Sequence, residues 1–479
     1  MRFSCIIFAF HLFFAASLEV RASGSDAACM SDLDCQLNGV CVDGVCDCLD
    51  AWKGRKCQHL DQRPGDALLR LPTSSSWGGR IIPSENPQEP HHAFITVFGG
   101  GCGMDEWDNT SHILVATIRN SDENETTRFN SPATVKKVAI PAYAHCTDVV
   151  RAKDASGRVI YIMVHNGDGM PRKNCGCGSP KCPDQPIEWL AQCDSGNGTT
   201  PKNVSPRGKP APPRPPLFEP SNGVHVSSSP IGPWQAPPKE SLVGYPFCDC
   251  PALHSLRNGS IMVWCQPLTW NFVPGQESTT INPIFINQGW GTSFVPYQPR
   301  INVPPSFLTR AKLMKNALKF DDPTLWTDEN GNFHVLAHNG DGPFPAGDSS
   351  SQGSHYRDFN PYRMGCSAHI FSPDGINWNL SEFAAHNATV PLTRGRGQVN
   401  LFRERPKAVL RPHLKGYKLV ALTSGAMRCG ERPVGSRSDS NDPLSHCANE
   451  TWPRATGEYG INTWRGMDYS FTTVVPLGT

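Results

Sequence analysis

Acidic residues recur at long, similar intervals in this 479-residue chain, each close to the start of an apolar run. They are Asp249, the neighbours Asp321 and Asp322, and Glu404; Asp322 lies 73 residues after Asp249 and 82 before Glu404. Paired carboxylates can split a glycosidic bond, because one protonates the leaving oxygen while the other activates water. A third carboxylate can help the acid keep its proton through like-charge repulsion. Such chemistry requires a fold that gathers distant strand starts at one place.

A repeated strand–turn–strand unit supplies such a fold. Runs rich in β-branched and aromatic residues cover 92–98, 159–164, 261–264, 333–337 and 417–422, and the last four follow a turn glycine. Companion runs lie upstream at 145–150, 249–253, 321–325 and 404–409. Radially repeated antiparallel sheets form a β-propeller, whose innermost strands begin at a common mouth. A β-sandwich with unrelated loops is the alternative, although a sandwich does not require a shared unit.

The predicted fold class is therefore all-β, with a five-bladed β-propeller over residues 65–479. Five units in about 400 residues is generous spacing for a propeller, so large insertions are expected. The clearest insertion is a Cys- and Pro-rich stretch at about 170–222.

Two acidic stretches resemble motifs of a known enzyme group. Asp322-Pro-Thr-Leu-Trp-Thr-Asp-Glu-Asn-Gly331 and Glu404-Arg-Pro-Lys407, each followed by an apolar strand, are similar to acidic motifs of the five-bladed glycoside hydrolases of family 43 and its relatives. The second is closest to the branch that acts on β-1,3-galactan. Asp249 resembles the first aspartate motif, but it lies two residues before its proline rather than next to it. The resemblance covers most of residues 75–475.

The resemblance implies roles for these acids. Glu404 would be the general acid, and Asp322 would orient it and help it hold its proton. Asp249 would be the general base that activates water, which gives inversion at the anomeric centre. Asp148 and Asp321 are reserve candidates for a carboxylate in the channel. An Asp before Pro is also a common turn residue, so each acid has a purely structural alternative.

Other polar and aromatic residues near the strand ends are candidate sugar contacts. His145, His338, His369 and Arg405 could hydrogen-bond sugar hydroxyls, and Trp264 could stack on a pyranose ring. Alternatively, the histidines satisfy backbone carbonyls and Trp264 fills space between blades, because buried polar groups need partners in any case. We predict no cofactor and no metal-ligating His pair; a structural metal in the channel is left open.

The N-terminal cysteines indicate a separate small module. Six of the 19 Cys fall within residues 29–57, with an aromatic and a glycine before the last of them. This pattern resembles an EGF-like module, which we place at residues 25–60. The resemblance implies the pairs Cys29–Cys41, Cys35–Cys46 and Cys48–Cys57. A zinc cluster is the alternative, but thiolates oxidise in an exported protein. The stretch before Cys29 lacks the acidic and amide residues of calcium-binding modules, so no calcium is predicted.

The chain also carries signs of export. Residues 1–22 have a positive start, an apolar run and small residues after it, which is typical of a signal peptide. Eight Asn-X-Ser/Thr sequons agree with a secreted glycoprotein. They begin at Asn109, Asn124, Asn197, Asn203, Asn258, Asn379, Asn387 and Asn449.

The sequence leaves two function classes open. The first is a secreted inverting glycosidase acting on a polysaccharide or glycoprotein glycan, with the EGF-like module docking to matrix or cell-wall material. The second is a catalytically inactive propeller that binds glycan or protein in adhesion or recognition. A formal charge of +1 argues against a nucleic-acid partner, and no later stretch has the length of a membrane span.

Overall fold

The structure is a computed structural model that describes residues 29–69, 71, 75–86, 88–98, 111–119, 132–141, 144–167, 223–246, 248, 250–265, 278–280, 284–297, 299–305, 320–339, 367–386, 389–391, 398–428 and 470–478. The predicted signal peptide and the predicted insertion lie outside these residues. The described chain forms strands and turns, with a 3-10 helix at Lys239–Leu242. The predicted all-β class is therefore confirmed.

The N-terminal module consists of two small hairpins. Strand β1 (Gly39–Val42) pairs with β2 (Val45–Cys48), and β3 (Trp52–Lys53) pairs with β4 (His59–Leu60). The module has the three disulfides Cys29–Cys41, Cys35–Cys46 and Cys48–Cys57, which confirms the predicted pairing. So small a segment buries little apolar surface, and the disulfides supply the missing constraint.

The remaining strands build the propeller. They are β5 (Asp66–Leu69), β6 (Ser76–Ile82), β7 (His91–Phe98), β8 (Ser111–Ile118), β9 (Thr134–Ile140), β10 (His145–Lys153), β11 (Val159–Asn166), β12 (Gly223–Ser227), β13 (Ala252–Ser255), β14 (Ile261–Trp264), β15 (Ser278–Thr280), β16 (Ile284–Asn287), β17 (Val295–Tyr297), β18 (Arg300–Asn302), β19 (Phe320–Thr327), β20 (Phe333–Asn339), β21 (Ser367–Ser372), β22 (Asn377–Leu380), β23 (Thr389–Pro391), β24 (Gln398–Pro412), β25 (Tyr417–Arg428) and β26 (Ser470–Pro476).

Five sheets are arranged around an axis, as the repeat predicted. Blade 1 contains β6 to β9, blade 2 contains β10 to β12, and blade 3 contains β13, β14, β16 and β17. Blade 4 contains β19 to β22, extended by β18 and β15, and blade 5 contains β23 to β26. The innermost strands β6, β10, β13, β19 and β24 contact one another in that order, and β24 contacts β6. The predicted strand–turn–strand unit is the pair of innermost strands in blades 2 to 5.

An early strand closes the ring. Strand β5, which precedes blade 1 in the chain, pairs with β26 as the outer strand of blade 5. The first and last parts of the propeller therefore share one sheet. Closure of this kind protects the ends of the ring, which would otherwise expose unpaired strand edges.

The hydrophobic cores lie between consecutive blades. One cluster joins Trp264 and Ile284 of blade 3 to Val335 and Ile370 of blade 4, and similar clusters join blades 1 and 2, 2 and 3, and 5 and 1. Strand β8 is buried along its whole length because both faces of its sheet are covered. Such strands read as continuous apolar runs rather than alternating ones.

The EGF-like module packs beneath blades 4 and 5. Its Trp52 and Leu60 share a buried cluster with Trp326 and Leu336 of blade 4 and Leu422 of blade 5. The strands fix which face this is, because Asp322 lies near the start of β19, whereas His334, which contacts the module through His369, pairs with the end of that strand. The module therefore lies on the face opposite the starts of the inner strands.

Candidate active site

Each innermost strand has one residue with a left-handed backbone, at or near its start in blades 1 to 4 and midway along β24 in blade 5. These residues are Gly78, Cys146, Cys250, Asp322 and Arg405, with φ values of 70°, 53°, 37°, 52° and 54°. We call them the bulge ring, because the strand register shifts at this point in blades 1, 2, 4 and 5. All five line one pocket on the propeller axis. The left-handed conformation costs a non-glycine residue about 1–2 kcal/mol, and such strain persists where the surroundings hold it, often at functional sites.

Asp322 is the carboxylate of the ring. Its side chain is 10% exposed, and Oδ1 lies 3.3 Å from Nε of Arg405 in the adjacent blade. The sulfur of Cys146 lies 3.7 Å from the same oxygen. Cys146 is disulfide-bonded and carries no S–H, so this is a packing contact rather than a hydrogen bond. Asp322 is thus fixed from two sides by partners on other blades.

Glu404 lies next to the ring, one residue before Arg405. Its side chain is 18% exposed, and Oε1 lies 3.8 Å from Nε2 of His338 on β20. Ligand atoms of Asp322, His338 and Glu404 all lie within 4.8 Å of one another. The structure therefore brings together two predicted catalytic carboxylates and one predicted sugar-binding histidine, although they are far apart in sequence.

Arg405 also contacts the second predicted histidine of the mouth. Its Nη2 lies 2.5 Å from Nε2 of His145 in blade 2. Burial, reinforced by the Arg405 guanidinium, lowers the pKa of His145 well below its usual value. The imidazole is therefore neutral and accepts a hydrogen bond from the guanidinium. Asp322, Arg405 and His145 form a polar chain that runs from blade 4 through blade 5 to blade 2.

A buried ionic cluster supports the mouth from below. Two residues after the ring position the chain has Arg80, Asp148, Thr324 and Lys407 in blades 1, 2, 4 and 5, and Ala252 in blade 3. The Asp148 carboxylate is fully buried and lies 3.6 Å from Arg80 Nε and 3.3 Å from Lys407 Nζ. It also accepts the backbone N–H of Leu253 in blade 3 at 3.1 Å. Asp148, a reserve candidate for catalysis, is committed to these partners and ties four blades together.

Two of the predicted sugar contacts lie elsewhere. Trp264 is 2% exposed and packs edge-on against Trp378, with ring centroids 5.0 Å apart, in the core between blades 3 and 4. It cannot stack on a sugar, so that assignment is corrected. His369 is fully buried at the module interface, 4.8 Å from the Trp52 ring. It contacts the EGF-like module rather than the mouth, and its assignment as a sugar contact is corrected as well.

Some predicted site residues lie wholly or partly outside the described part of the chain. Asp249 lies outside the described residues, so its role as base stays a prediction. The backbone of Asp321 pairs with His338, while its side chain is not described. Of the predicted glycosylation sites, Asn258 is exposed in a turn of blade 3 and Asn379 is partly exposed in blade 4; the other six lie outside the described residues.

The mouth also contains donor atoms that could hold a metal. Asp322, His338 and Glu404 offer two carboxylates and an imidazole within 4.8 Å of one another. The Arg405 guanidinium already contacts Asp322, however, and a second positive charge there would be repelled. The other described clusters consist of disulfide sulfurs or include them, and these are not metal ligands.

Sequence reasoning missed the positive charges below the mouth. Arg80 and Lys407 each follow a ring residue by two positions, as Asp148 does. Aligning the five strand starts on the ring residue would have placed these charges in one layer. It also missed the cross-blade disulfide Cys146–Cys250, because disulfide connectivity cannot be deduced from sequence alone.

One family model matches part of this chain, and several solved structures are similar to it. Residues 29–57 match the family model of the EGF-like domain. No curated protein matches the chain significantly. Among solved structures, the chain is similar to a family 117 glycoside hydrolase from the marine bacterium Zobellia galactanivorans, with 10% identity and a TM-score of 0.40 over 87% of this chain and 90% of that one.

Two further solved structures are similar over most of their length. A thermostable family-43 glycoside hydrolase has 7% identity and a TM-score of 0.36 over 76% of this chain and 87% of that one. A protein of unknown function from Dyadobacter fermentans has 8% identity and a TM-score of 0.36 over 87% of this chain and 98% of that one.

The EGF-like module, with its three disulfides, indicates an extracellular protein. Among the described residues, no helix has the length and apolar character needed to cross a membrane.

Proposed function

We propose that this chain is a secreted glycoside hydrolase that cleaves glycosidic bonds with inversion of the anomeric centre. The observation that carries the proposal is the meeting of Asp322 and Glu404, from neighbouring blades, at one axial mouth. The partly exposed carboxyl of Glu404 can reach a bound glycan, while Asp322 is fixed beside it. Carboxylates gathered in a cleft are costly to bury, which favours a functional reason for their position.

In the proposed reaction, Glu404 donates its proton to the glycosidic oxygen as the bond from that oxygen to the anomeric carbon breaks. Water attacks the anomeric carbon from the opposite face and loses a proton to a second carboxylate. The products are a free alcohol and a sugar with inverted configuration. Asp249, which precedes the ring residue Cys250 in the chain, is the base predicted from the sequence.

Neighbouring polar groups would hold the acid and the substrate. Arg405 follows Glu404 directly and is anchored by Asp322 on one side and His145 on the other. This anchoring limits the positions that the Glu404 carboxyl can reach. His338 faces Glu404 and would hydrogen-bond a sugar hydroxyl near the acid. Fixed groups of this kind lower the entropic cost of reaching a reactive geometry.

One observation favours the second candidate, a propeller that binds glycan or protein without cleaving it. Asp322 already has an internal partner in Arg405, as a purely structural carboxylate would. In either case the EGF-like module, on the face opposite the mouth, would be free to dock to matrix or cell-wall material without covering the mouth.

The decisive experiment is a screen of the purified full chain on arabinan, xylan and β-1,3-galactan, with reducing ends measured and the first anomer identified by NMR. We expect cleavage of one substrate with inversion, and a loss of about 10²–10⁴-fold in Glu404→Gln, the usual contribution of a general acid. Glu240→Gln, at an exposed carboxyl of the 3-10 helix, is the matched control. Unchanged activity in Glu404→Gln would end its assignment as acid. A wild-type chain that binds glycan but cleaves none would favour the second candidate.

A further inference from the structure

Contacts between blades link the residues of the bulge ring. The disulfide Cys146–Cys250 joins blades 2 and 3, with Cα atoms 5.0 Å apart. The ion pair Asp322–Arg405 joins blades 4 and 5. Gly78 of blade 1 lies against Arg405, so that a Cβ at this position would approach the Arg405 Cβ to 3.0 Å. Each of the five equivalent residues thus contacts another ring residue across a blade boundary.

The disulfide also touches the proposed catalytic machinery. The Cys146 sulfur lies 3.7 Å from Oδ1 of Asp322. His145, which accepts a hydrogen bond from Arg405, directly precedes Cys146 in the chain. The N–H of Cys250 is bonded by the side chain of Asn166 in blade 2 at 2.9 Å, so a second link crosses the same boundary. The two cysteines therefore hold the side of the mouth that faces Asp322.

We propose that Cys146 and Cys250 are positioning residues of the mouth: their disulfide holds two ring residues in the left-handed conformation and so keeps Asp322 and the His145–Arg405 pair in register. Left-handed backbone is unfavourable for any residue with a Cβ, and here the covalent link between blades opposes its relaxation. For its effect on catalysis this inference rests on the proposed hydrolase function. For its effect on the backbone it does not.

Replacement by alanine or by glycine separates the two possible roles of the link. In Cys146→Ala/Cys250→Ala the link is lost and both residues still disfavour the left-handed conformation. In Cys146→Gly/Cys250→Gly the link is lost, but the backbone tolerates that conformation. Cys248→Ala/Cys265→Ala is the matched control, because it removes a disulfide that joins two residues of blade 3 only.

The first measurement requires no enzymatic activity. Amide hydrogen exchange is followed in the full chain for peptides covering residues 145–153 and 252–255, since the N–H groups of Val149 and Leu253 are both bonded to Asp148 below the ring. We expect exchange at least tenfold faster in the alanine pair, less acceleration in the glycine pair, and little change in the control. The peptide covering β8 should be unchanged in all three variants. Equal exchange in the alanine pair and the wild type would overturn the inference.

The second measurement is cleavage of the substrate found for the wild type. We expect kcat of the alanine pair to be at least tenfold below that of the wild type, with a smaller change in KM. The kcat of the glycine pair should be at least threefold above that of the alanine pair. If the alanine pair does not fold, the glycine pair carries both measurements. Full kcat in the folded alanine pair, or wild-type exchange together with full kcat in the glycine pair where only that pair folds, would overturn the inference and leave the proposed function intact. An inactive wild type whose alanine pair exchanges faster would refute the function but support the positioning role.

Discussion

Replacing Asp148 with asparagine tests how the propeller holds its mouth together. The buried Asp148 carboxylate lies 3.6 Å from Arg80 Nε and 3.3 Å from Lys407 Nζ, on blades 1 and 5. Asparagine keeps the volume, and its carbonyl oxygen can still accept one backbone N–H. It removes the negative charge, however, and leaves two cations from different blades buried without this counterion.

The size of the effect follows from two independent bounds. Breaking a buried ion pair by removing one partner costs about 3–5 kcal/mol. Burial lowers the pKa of the Lys407 ammonium from 10.5, and the Asp148 carboxylate opposes that shift. Without the carboxylate, Lys407 can release its proton instead, at a cost of about 4 kcal/mol at pH 7.5. Both bounds put the destabilisation near 4 kcal/mol.

Thermal unfolding followed by circular dichroism measures this loss. With an unfolding entropy of about 2.1 cal/mol/K per residue over roughly 400 residues, a loss of about 4 kcal/mol lowers Tm by about 5 °C. A folded variant in which Lys407 has released this proton binds fewer protons than its unfolded state. Its stability relative to the wild type therefore rises with pH, by up to about 1.4 kcal/mol per unit between pH 7 and 9.

A charge-balanced double variant supplies the control. In Asp148→Asn/Lys407→Met one cation leaves together with the anion, so part of the lost stability should return. Asp47→Asn, at an exposed carboxyl of the EGF-like module, should stay within about 0.5 kcal/mol of the wild type. If Asp148→Asn melts within about 1 °C of the wild type, or its deficit does not shrink with pH, the carboxylate does not hold the cations as argued.

Three further changes probe other parts of the fold. Trp52→Ala removes the ring that packs on His369, so we expect a loss of about 3–5 kcal/mol in thermal unfolding and faster proteolysis at the module boundary. Burial lowers the pKa of His254 to about 3, so below pH 6.5 the unfolded state binds more protons and stability falls by up to about 1.4 kcal/mol per pH unit; in His254→Gln the slope of Tm against pH should be shallower. Gly416→Ala should destabilise the protein more than Gly259→Ala, because a Cβ at residue 416 would meet the Asp328 carbonyl oxygen. A Cβ at residue 259 would enter open space, so Gly259→Ala should cost only about 1 kcal/mol, from its left-handed backbone.

Each of these predictions has an outcome that would contradict it. A Trp52→Ala chain that resists protease as the wild type does would mean that the module is held by other contacts. An unchanged pH slope in His254→Gln would mean that this histidine does not take up a proton on unfolding. Equal melting of the two alanine variants would mean that the chain can shift at residue 416 to admit a methyl group.

The repeat predicted the site better than the individual residues did. Asp322 and Glu404 were expected at one mouth because they precede equivalent strands, and the five-bladed ring brings them together. The inner strand of blade 1 was not predicted, because Trp77-Gly78-Gly79 lacks the acidic residue or proline that marks the other strand starts. The other four strand starts were recognised by an acidic residue or a proline, and the start of the inner strand of blade 1 has neither.

Burial explains the two sugar contacts that the sequence placed wrongly. Trp264 ends a strand near the axis, and a tryptophan there can face either the mouth or the neighbouring blade. Only the packing against Trp378 decides this, and that residue lies 114 positions further along the chain. His369 was assigned to the mouth because the docking of the EGF-like module cannot be read from either segment alone. Its partner in blade 4, His334, and the module residue Asn38 satisfy its ring nitrogens.

The five ring positions share a backbone conformation but differ in chemistry. Blades 4 and 5 contribute Asp322 and Arg405, next to Glu404, while blades 2 and 3 contribute a disulfide. Blade 1 contributes Gly78, where any side chain would crowd Arg405. Substitutions in blades 4 and 5 should therefore alter the chemical step itself. Substitutions at the disulfide or at Gly78 should act through the position of these charged groups, because neither the disulfide nor Gly78 takes part in the proposed reaction.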